Sequence, residues 1–230
     1  MSTYTNVPWM TVNDHNARSG NGYVTHTCEE AYKGRVQRQG YTTISTDEET
    51  PDSAIVNFIQ LPKPEYIIFD QVSYNATAAE GQITITGRTN APRLDFALTT
   101  DANSIGSLPT YFSIQPEGDV SPTENQAVSG QTFTGDPGAT KEIAFTIVVT
   151  IAANTTINQR YCTLTATGST GVTGSVNIIQ AAAASFINLT SSHLDQVTIT
   201  FDNKGMSDGS SSVDVDVFSN DDWNITVEED

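Results

Sequence analysis

The chain repeats itself out of phase, and no other feature narrows its possible folds as much. Val56 to Gln60 reads VNFIQ, and Val176 to Gln180 reads VNIIQ, 120 positions later. An arginine opens the segment before each: Arg38 ahead of QGYTTIST, and Arg160 ahead of YCTLTAT, 122 positions apart. A second match links other stretches. Ile83, Ile85 and Asn90 of GQITITGRTN correspond to Val213, Val215 and Asn220 of SSVDVDVFSN, 130 positions on. The order is therefore back half, front half, back half, front half of one β unit, and the sequence is expected to start and stop within a unit. Half a β-sandwich cannot bury its own face. The expected organisation is all-β with two sandwich domains. Residues 63–182 form a central sandwich, and residues 1–62 plus 183–230 form a split one. The split domain closes either within one chain, like a circular permutant, or between neighbouring chains by strand exchange.

The length of 230 residues suits two sandwiches of about 100 residues each. Charged residues are 16% of the chain, and Thr, Ser, Asn, Gly and Val are abundant, which fits short strands and polar turns better than a helical bundle. Ten Lys and Arg against 27 Asp and Glu give a net charge of −17. Nucleic-acid binding needs cations to displace counterions, so it is not expected, and neither is docking to anionic lipid. The acidity reads most simply as a solvated surface, with cation binding or a basic protein partner as the alternatives. The N-terminus, MSTYTNVPWMTVNDH, has no basic region followed by an apolar one, as a signal peptide would. No run approaches the roughly 18 apolar residues of a membrane helix. Synthesis and retention inside a cell, or release by lysis, is the expectation. The repeat places Cys162 opposite Gly40 and Cys28 near Thr150, so no shared disulfide is expected and two thiols are the default.

Alternating β-formers predict strands at Tyr23 to Thr27, Tyr41 to Ile44, Ala54 to Ile59, Tyr66 to Phe69, Gln82 to Thr86 and Leu94 to Leu98, and the longer apolar run Ile143 to Ile151 reads as a central sandwich strand. Phe186 to Leu189, Val197 to Phe201, Val213 to Phe218 and Trp223 to Val227 complete the set. GDPG at Gly135 to Gly138 and the Thr167 to Gly171 stretch read as turns. Asn103 to Pro109 and Gly118 to Gly135 read as long polar insertions, functional or ordered by a partner.

Catalytic chemistry has no motif here, and no enzyme is expected. His15, His26 and His193 are scattered, without zinc spacing. No nucleophile elbow, phosphate loop or dinucleotide fingerprint occurs, and no cofactor is implied. Asp214, Asp216, Asp221, Asp222, Glu228, Glu229 and Asp230 could offer oxygen ligands to Ca²⁺, but lack EF-hand spacing. Asp214 and Asp216 alternate with Val213, Val215 and Val217, which reads as the solvated face of a strand. No metal site is therefore assigned. Tyr4, Trp9, Tyr32, Tyr111 and Trp223 could form a sugar platform. Trp9, Tyr111 and Trp223 are the candidate anchors of a core or an interface. Sequons at Asn75, Asn154, Asn188 and Asn224 reflect the Asn/Thr-rich composition.

A strand ending in Asn220, two spacers, Trp223 and then alternating apolar residues form one end of the unit. Asn154 to Arg160, a hairpin, and a last strand closing on Gln180 form the other. This pattern resembles the BACON domain, an immunoglobulin-like module of Bacteroidota and their phages. The middle copy departs from it, with Leu94 in the place of the tryptophan. The resemblance implies two immunoglobulin-like β-sandwiches. In secreted proteins such modules accompany glycoside hydrolases; in crAss-like phages they occur in virion proteins. A chain made of the modules alone is closer to the second context. The resemblance thus implies an auxiliary capsid protein on the capsid exterior, synthesised in the host cytoplasm, whose partner is the major capsid protein. Homo-oligomerisation by strand exchange is a further option. A head-fibre or tail component, and a glycan-binding module or adhesin, are the alternatives.

Overall fold

The computed structural model describes residues 2–5, 7–14, 22–28, 31–100, 105–119, 126–189, 194 and 196–228. Among them the one helical element is the 3-10 turn Pro137–Ala139; the rest is strand and loop.

The N-terminal segment contributes β1 (Ser2–Thr5), β2 (Met10–Asp14), β3 (Val24–Cys28), β4 (Arg38–Ser45) and β5 (Ser53–Gln60). These make an antiparallel sheet β1-β4-β5 and a separate β2-β3 pair. The middle of the chain contributes β6 (Ile67–Phe69), β7 (Ser73–Ala76), β8 (Gly81–Thr89), β9 (Asp95–Thr100), β10 (Gly106–Ser107), β11 (Tyr111–Pro116), β12 (Gln126–Val128), β13 (Ile143–Ile151), β14 (Arg160–Thr167) and β15 (Thr173–Gln180). The C-terminal segment contributes β16 (Ile187–Leu189) and β17 (Val217–Ser219), paired with each other.

The middle strands form two facing sheets. One runs β12-β11-β13-β8-β6 with β10 beside the end of β13; the other runs β7-β15-β14-β9, with β7 parallel to β15. Strict alternation in β13 sends Ile143, Phe145, Ile147, Val149 and Ile151 inward. They meet Leu164, Ala166, Val176 and Ile178 from the opposite sheet in one core. Phe96 packs edge-on against Phe112, 4.9 Å between ring centres, and lies 5.8 Å from Phe145. Gly87 makes room for the Phe145 ring, since a Cβ there would collide with it. This is an immunoglobulin-like β-sandwich, in which each sheet supplies half of the core.

Three expectations are corrected. The stretches read as polar insertions contain strands: β10 pairs with the end of β13, and β12 pairs with β11. Residues 103, 104 and 120–125 of those stretches lie outside the described residues. Val197 to Phe201 and Trp223 to Val227 are not strands, and Val213 to Phe218 is strand only from Val217. Their alternation is real, but a strand needs a partner ladder to satisfy its backbone, and these segments have none in the described chain.

The N-terminal segment joins the central sandwich where β8 ends and β13 begins, through bonds to Asn90, Gly138 and Ala139. The C-terminal segment joins it at the other end of β13, through Asn220 and Thr155. Nine residues of strand, about 30 Å, separate the two ends.

Candidate assembly interface

An asparagine organises each junction. Asn90 follows β8 and is fully buried. Its amide nitrogen donates to the carbonyls of Lys33 (3.0 Å), Lys63 (3.2 Å) and Pro64 (3.2 Å), and its oxygen accepts the Tyr66 N–H at 3.0 Å. Asn220 follows β17 in the same way. Its nitrogen donates to the carbonyls of Thr155 (3.3 Å) and Ala184 (3.0 Å), and its oxygen accepts the Phe186 N–H at 3.0 Å. Lys33 and Thr155 are 122 positions apart, Pro64 and Ala184 are 120 apart, and so are Tyr66 and Phe186. These are the offsets of the sequence repeat, so one junction is built twice.

A second motif recurs with it. Arg38 Nε donates to Gln60 Oε1 at 2.7 Å across the β4-β5 pair. Arg160 donates to Gln180 Oε1 at 3.1 and 2.7 Å across the β14-β15 pair. Gln180 is fully buried and also donates to the Ala152 carbonyl at 2.8 Å.

The N-terminal junction carries ion pairs that the other lacks among the described residues. Arg35 is ion-paired to Asp136, and its Nε donates to the Asn90 carbonyl at 2.9 Å. The Arg35 and Val36 N–H groups donate to the Gly138 and Ala139 carbonyls at 3.1 and 2.9 Å. Lys33 bridges Glu117 (2.9 Å) and Glu142 (3.1 Å), and Tyr66 donates its hydroxyl to Glu142 at 2.5 Å. Hydrogen bonds to Glu117 and Glu142 push the Lys33 ammonium up from its ordinary range. Burial, then the bond to Glu142, pushes the Tyr66 hydroxyl up. Burial alone would raise Glu142, but the bonds from Tyr66 and Lys33 outweigh it and hold the carboxyl below its usual range. At the C-terminal junction Ser185 donates to Asp221 at 3.1 Å and Ser219 donates to the Phe186 carbonyl at 2.9 Å, beside the amide bonds of Asn220.

The candidate anchors fall in three separate places. Trp9 is buried, 6% exposed, in the N-terminal segment. The Arg38 guanidinium lies over its ring at 4.6 Å and over the Tyr32 ring at 4.4 Å, so the cation is held between two aromatic faces. Tyr111 opens β11 and is 54% exposed; Trp223 lies in the C-terminal segment and is 46% exposed. They form no common aromatic face. Among the described residues no group of His, Cys, Asp or Glu is placed to hold a metal. Asp214 and Asp216 are exposed, and His15, His193, Glu229 and Asp230 lie outside the described residues. Cys28 is exposed; Cys162 is buried, and burial pushes its thiol up. Among the described residues no helix is long and apolar enough to cross a membrane.

Sequence reasoning found Asn90 and Asn220 as equivalents but not as junction centres. It missed Lys33, Arg35 and Glu142 altogether. The available signal was the cluster Lys33-Gly34-Arg35 in a chain with ten cations.

Exposed large apolar side chains concentrate on the terminal segments: Ile55, Ile59 and Leu61 on one, Phe201, Ile225 and Val227 on the other. The interior of the N-terminal segment holds two polar atoms without a hydrogen-bond partner, His26 Nε2 and Thr42 Oγ1; the described part of the central sandwich has none.

No family model matches the chain, and no curated protein matches it in sequence. Among solved structures it is similar to the protocadherin GammaB4 extracellular domain at 8% identity, over 83% of this chain and 29% of that one, with a TM-score of 0.35. It is similar to the cadherin-like domains 1 to 4 of zebrafish RET at 8% identity, over 77% of this chain and 43% of that one, with a TM-score of 0.32. A protein from Bacteroides thetaiotaomicron is similar over 54% of this chain and 97% of its own length, at 14% identity and a TM-score of 0.25. The chain spans less than half the length of the two cadherin-type structures.

Proposed function

We propose that this chain is a non-enzymatic structural protein of a virion: an auxiliary capsid protein that binds the major capsid protein of a crAss-like phage from the capsid exterior. The observation that carries the structural part is the state of the terminal segments. Their apolar side chains stand exposed in short sheets of two or three strands among the described residues. Such surfaces are covered by protein in working assemblies, because left bare they aggregate. The BACON resemblance supplies the virion context. Burial of Trp9 beneath Arg38 weighs against a sugar platform shared with Trp223.

The test is co-sedimentation of the full chain with shells assembled from the major capsid protein of a crAss-like phage. Saturable binding to the shells is the expected result. No binding to the shells, together with retention on immobilised mucin glycans, would replace this reading by a carbohydrate-binding one.

A further inference from the structure

The hairpins β4-β5 and β14-β15 share one register under the sequence repeat. Tyr41 pairs with Asn57 as Thr163 pairs with Asn177, and Thr43 pairs with Ile55 as Thr165 pairs with Ser175. Successive side chains of a strand point to opposite faces. Val56, Phe58 and Gln60 correspond to the core residues Val176, Ile178 and Gln180, so Ile55, Asn57 and Ile59 lie on the outer face, with Leu61 next in the alternation. That outer face is apolar in one hairpin and polar in the other. Ile55 is 61% exposed, Ile59 60%, Leu61 73% and Tyr41 41%. Where Ile55, Leu61 and Tyr41 stand, the central hairpin carries Ser175, Ala181 and Thr163; Ile59 keeps its counterpart, Ile179. One position runs the other way, Gln39 against Tyr161. The central hairpin shows that this pairing requires no large apolar group at those three places.

The connections differ as well. Residues 46–52, which join β4 to β5, carry Asp47, Glu48, Glu49 and Asp52, all exposed. Residues 168–172, which join β14 to β15, carry no charge, and the Ser169 hydroxyl donates to Glu65 at 2.6 Å. Arg38 is the one cation within residues 38–61, and its guanidinium is held between the Trp9 and Tyr32 rings. The apolar strip, about 20 Å from Ile55 to Leu61, therefore ends beside four carboxylates.

We propose that the outer face of β4-β5 is the surface by which the chain binds its protein partner, and that the partner meets it with an apolar strip bordered by Lys and Arg. This rests on the reading of the chain as a structural protein that binds another protein, and adds where it binds and to what chemistry. A contiguous exposed apolar strip rimmed by polar groups marks a protein contact. Ile55, Ile59 and Leu61 offer neither flat rings nor polar groups to a sugar. A second copy would bring one net charge of −17 against another, whereas a basic rim is attracted to the acidic tip and steered onto the strip.

The experiment uses full-length chains and two binding partners: shells of the major capsid protein of a crAss-like phage, and an immobilised strand-forming peptide of alternating Leu and Lys. Wild type is expected to bind both. Tyr41→Thr, Ile55→Ser and Leu61→Ala together install the central hairpin's residues and are expected to loosen binding about tenfold or more. Asp47→Asn, Glu48→Gln, Glu49→Gln and Asp52→Asn together weaken it a few-fold at low salt and flatten its salt dependence. Tyr161→Gln, on the central hairpin, leaves it unchanged. The Trp9 indole resonance reports that the N-terminal segment stays folded. If the triple variant loses that signal, Asn57→Arg takes its place, since Asn57 is exposed in the middle of the face and a cation there repels a basic partner. Shells bound equally by wild type and the face variants overturn the proposal and leave the capsid reading standing. Peptide binding in the expected order without shell binding overturns the capsid reading and supports the face as a site for a basic partner. Binding to neither overturns both.

Discussion

β15 and β5 carry almost the same sequence and live in different surroundings. In β15, Val176 is 1% exposed and Ile178 and Gln180 are fully buried. In β5 the counterparts are Val56, 36% exposed, and Phe58 and Gln60, both half-buried. Both strands have the same hairpin partner in the same register, each closed by an arginine on a glutamine. They differ in what lies across the core and along the outer edge. A β strand's local pairing is therefore encoded within its hairpin, while its burial is set by the front half that does or does not cover it.

The largest break in this comparison comes from equivalent truncations in the two cores. Phe145→Ala, deep in the central sandwich, is expected to cost about 3–5 kcal/mol in urea unfolding. Phe58→Ala in dilute protein is expected to cost about 1 kcal/mol, because only part of its ring leaves water.

The junction asparagines come next. Asn90→Ala strands the Tyr66 N–H and three carbonyls in a buried place, which is expected to cost about 2–3 kcal/mol. Asn220→Ala, with water at hand, should cost about 1 kcal/mol or less. Hydrogen exchange at the Tyr66 and Phe186 amides reads the two junctions separately.

Much of the architecture was legible because it depends on short-range pattern. The long apolar run Ile143 to Ile151 marked the central strand to the residue, since a strand covered on its inner face and flanked on both edges tolerates few polar residues. Val213 to Asp216 has an equally clear pattern and is not strand, because ladders are long-range and a pattern cannot supply its own neighbour. β10 and β12 were hidden for the opposite reason: two or three residues are too few to show a period, and they form strands because β13 and β11 present open backbone. The junction cluster of Lys33, Arg35, Asp136 and Glu142 draws on residues about a hundred positions apart, which nothing in their local context announces.

Acid and alkali sharpen the contrast between the junctions. Glu142 is held below its ordinary value of 4.5, so its contribution is present above that pH and is lost as pH falls through the folded value. Lys33 and Tyr66 are raised above 10.5 and 10.0, so theirs is present below about pH 10 and lost as pH climbs through the folded values. Protection of the Tyr66 amide is expected to fall at both extremes and to stay level between pH 5 and 9, while the amide and backbone bonds around Asn220 do not titrate.

The placement of the two terminal segments at opposite ends of β13 has a mechanical consequence. A pull on both segments enters the sandwich at the start of β6 and leaves it after β15, at opposite ends, so the ladders of those strands, β6 on β8 and β15 on the parallel β7, are loaded in shear with their hydrogen bonds sharing the force.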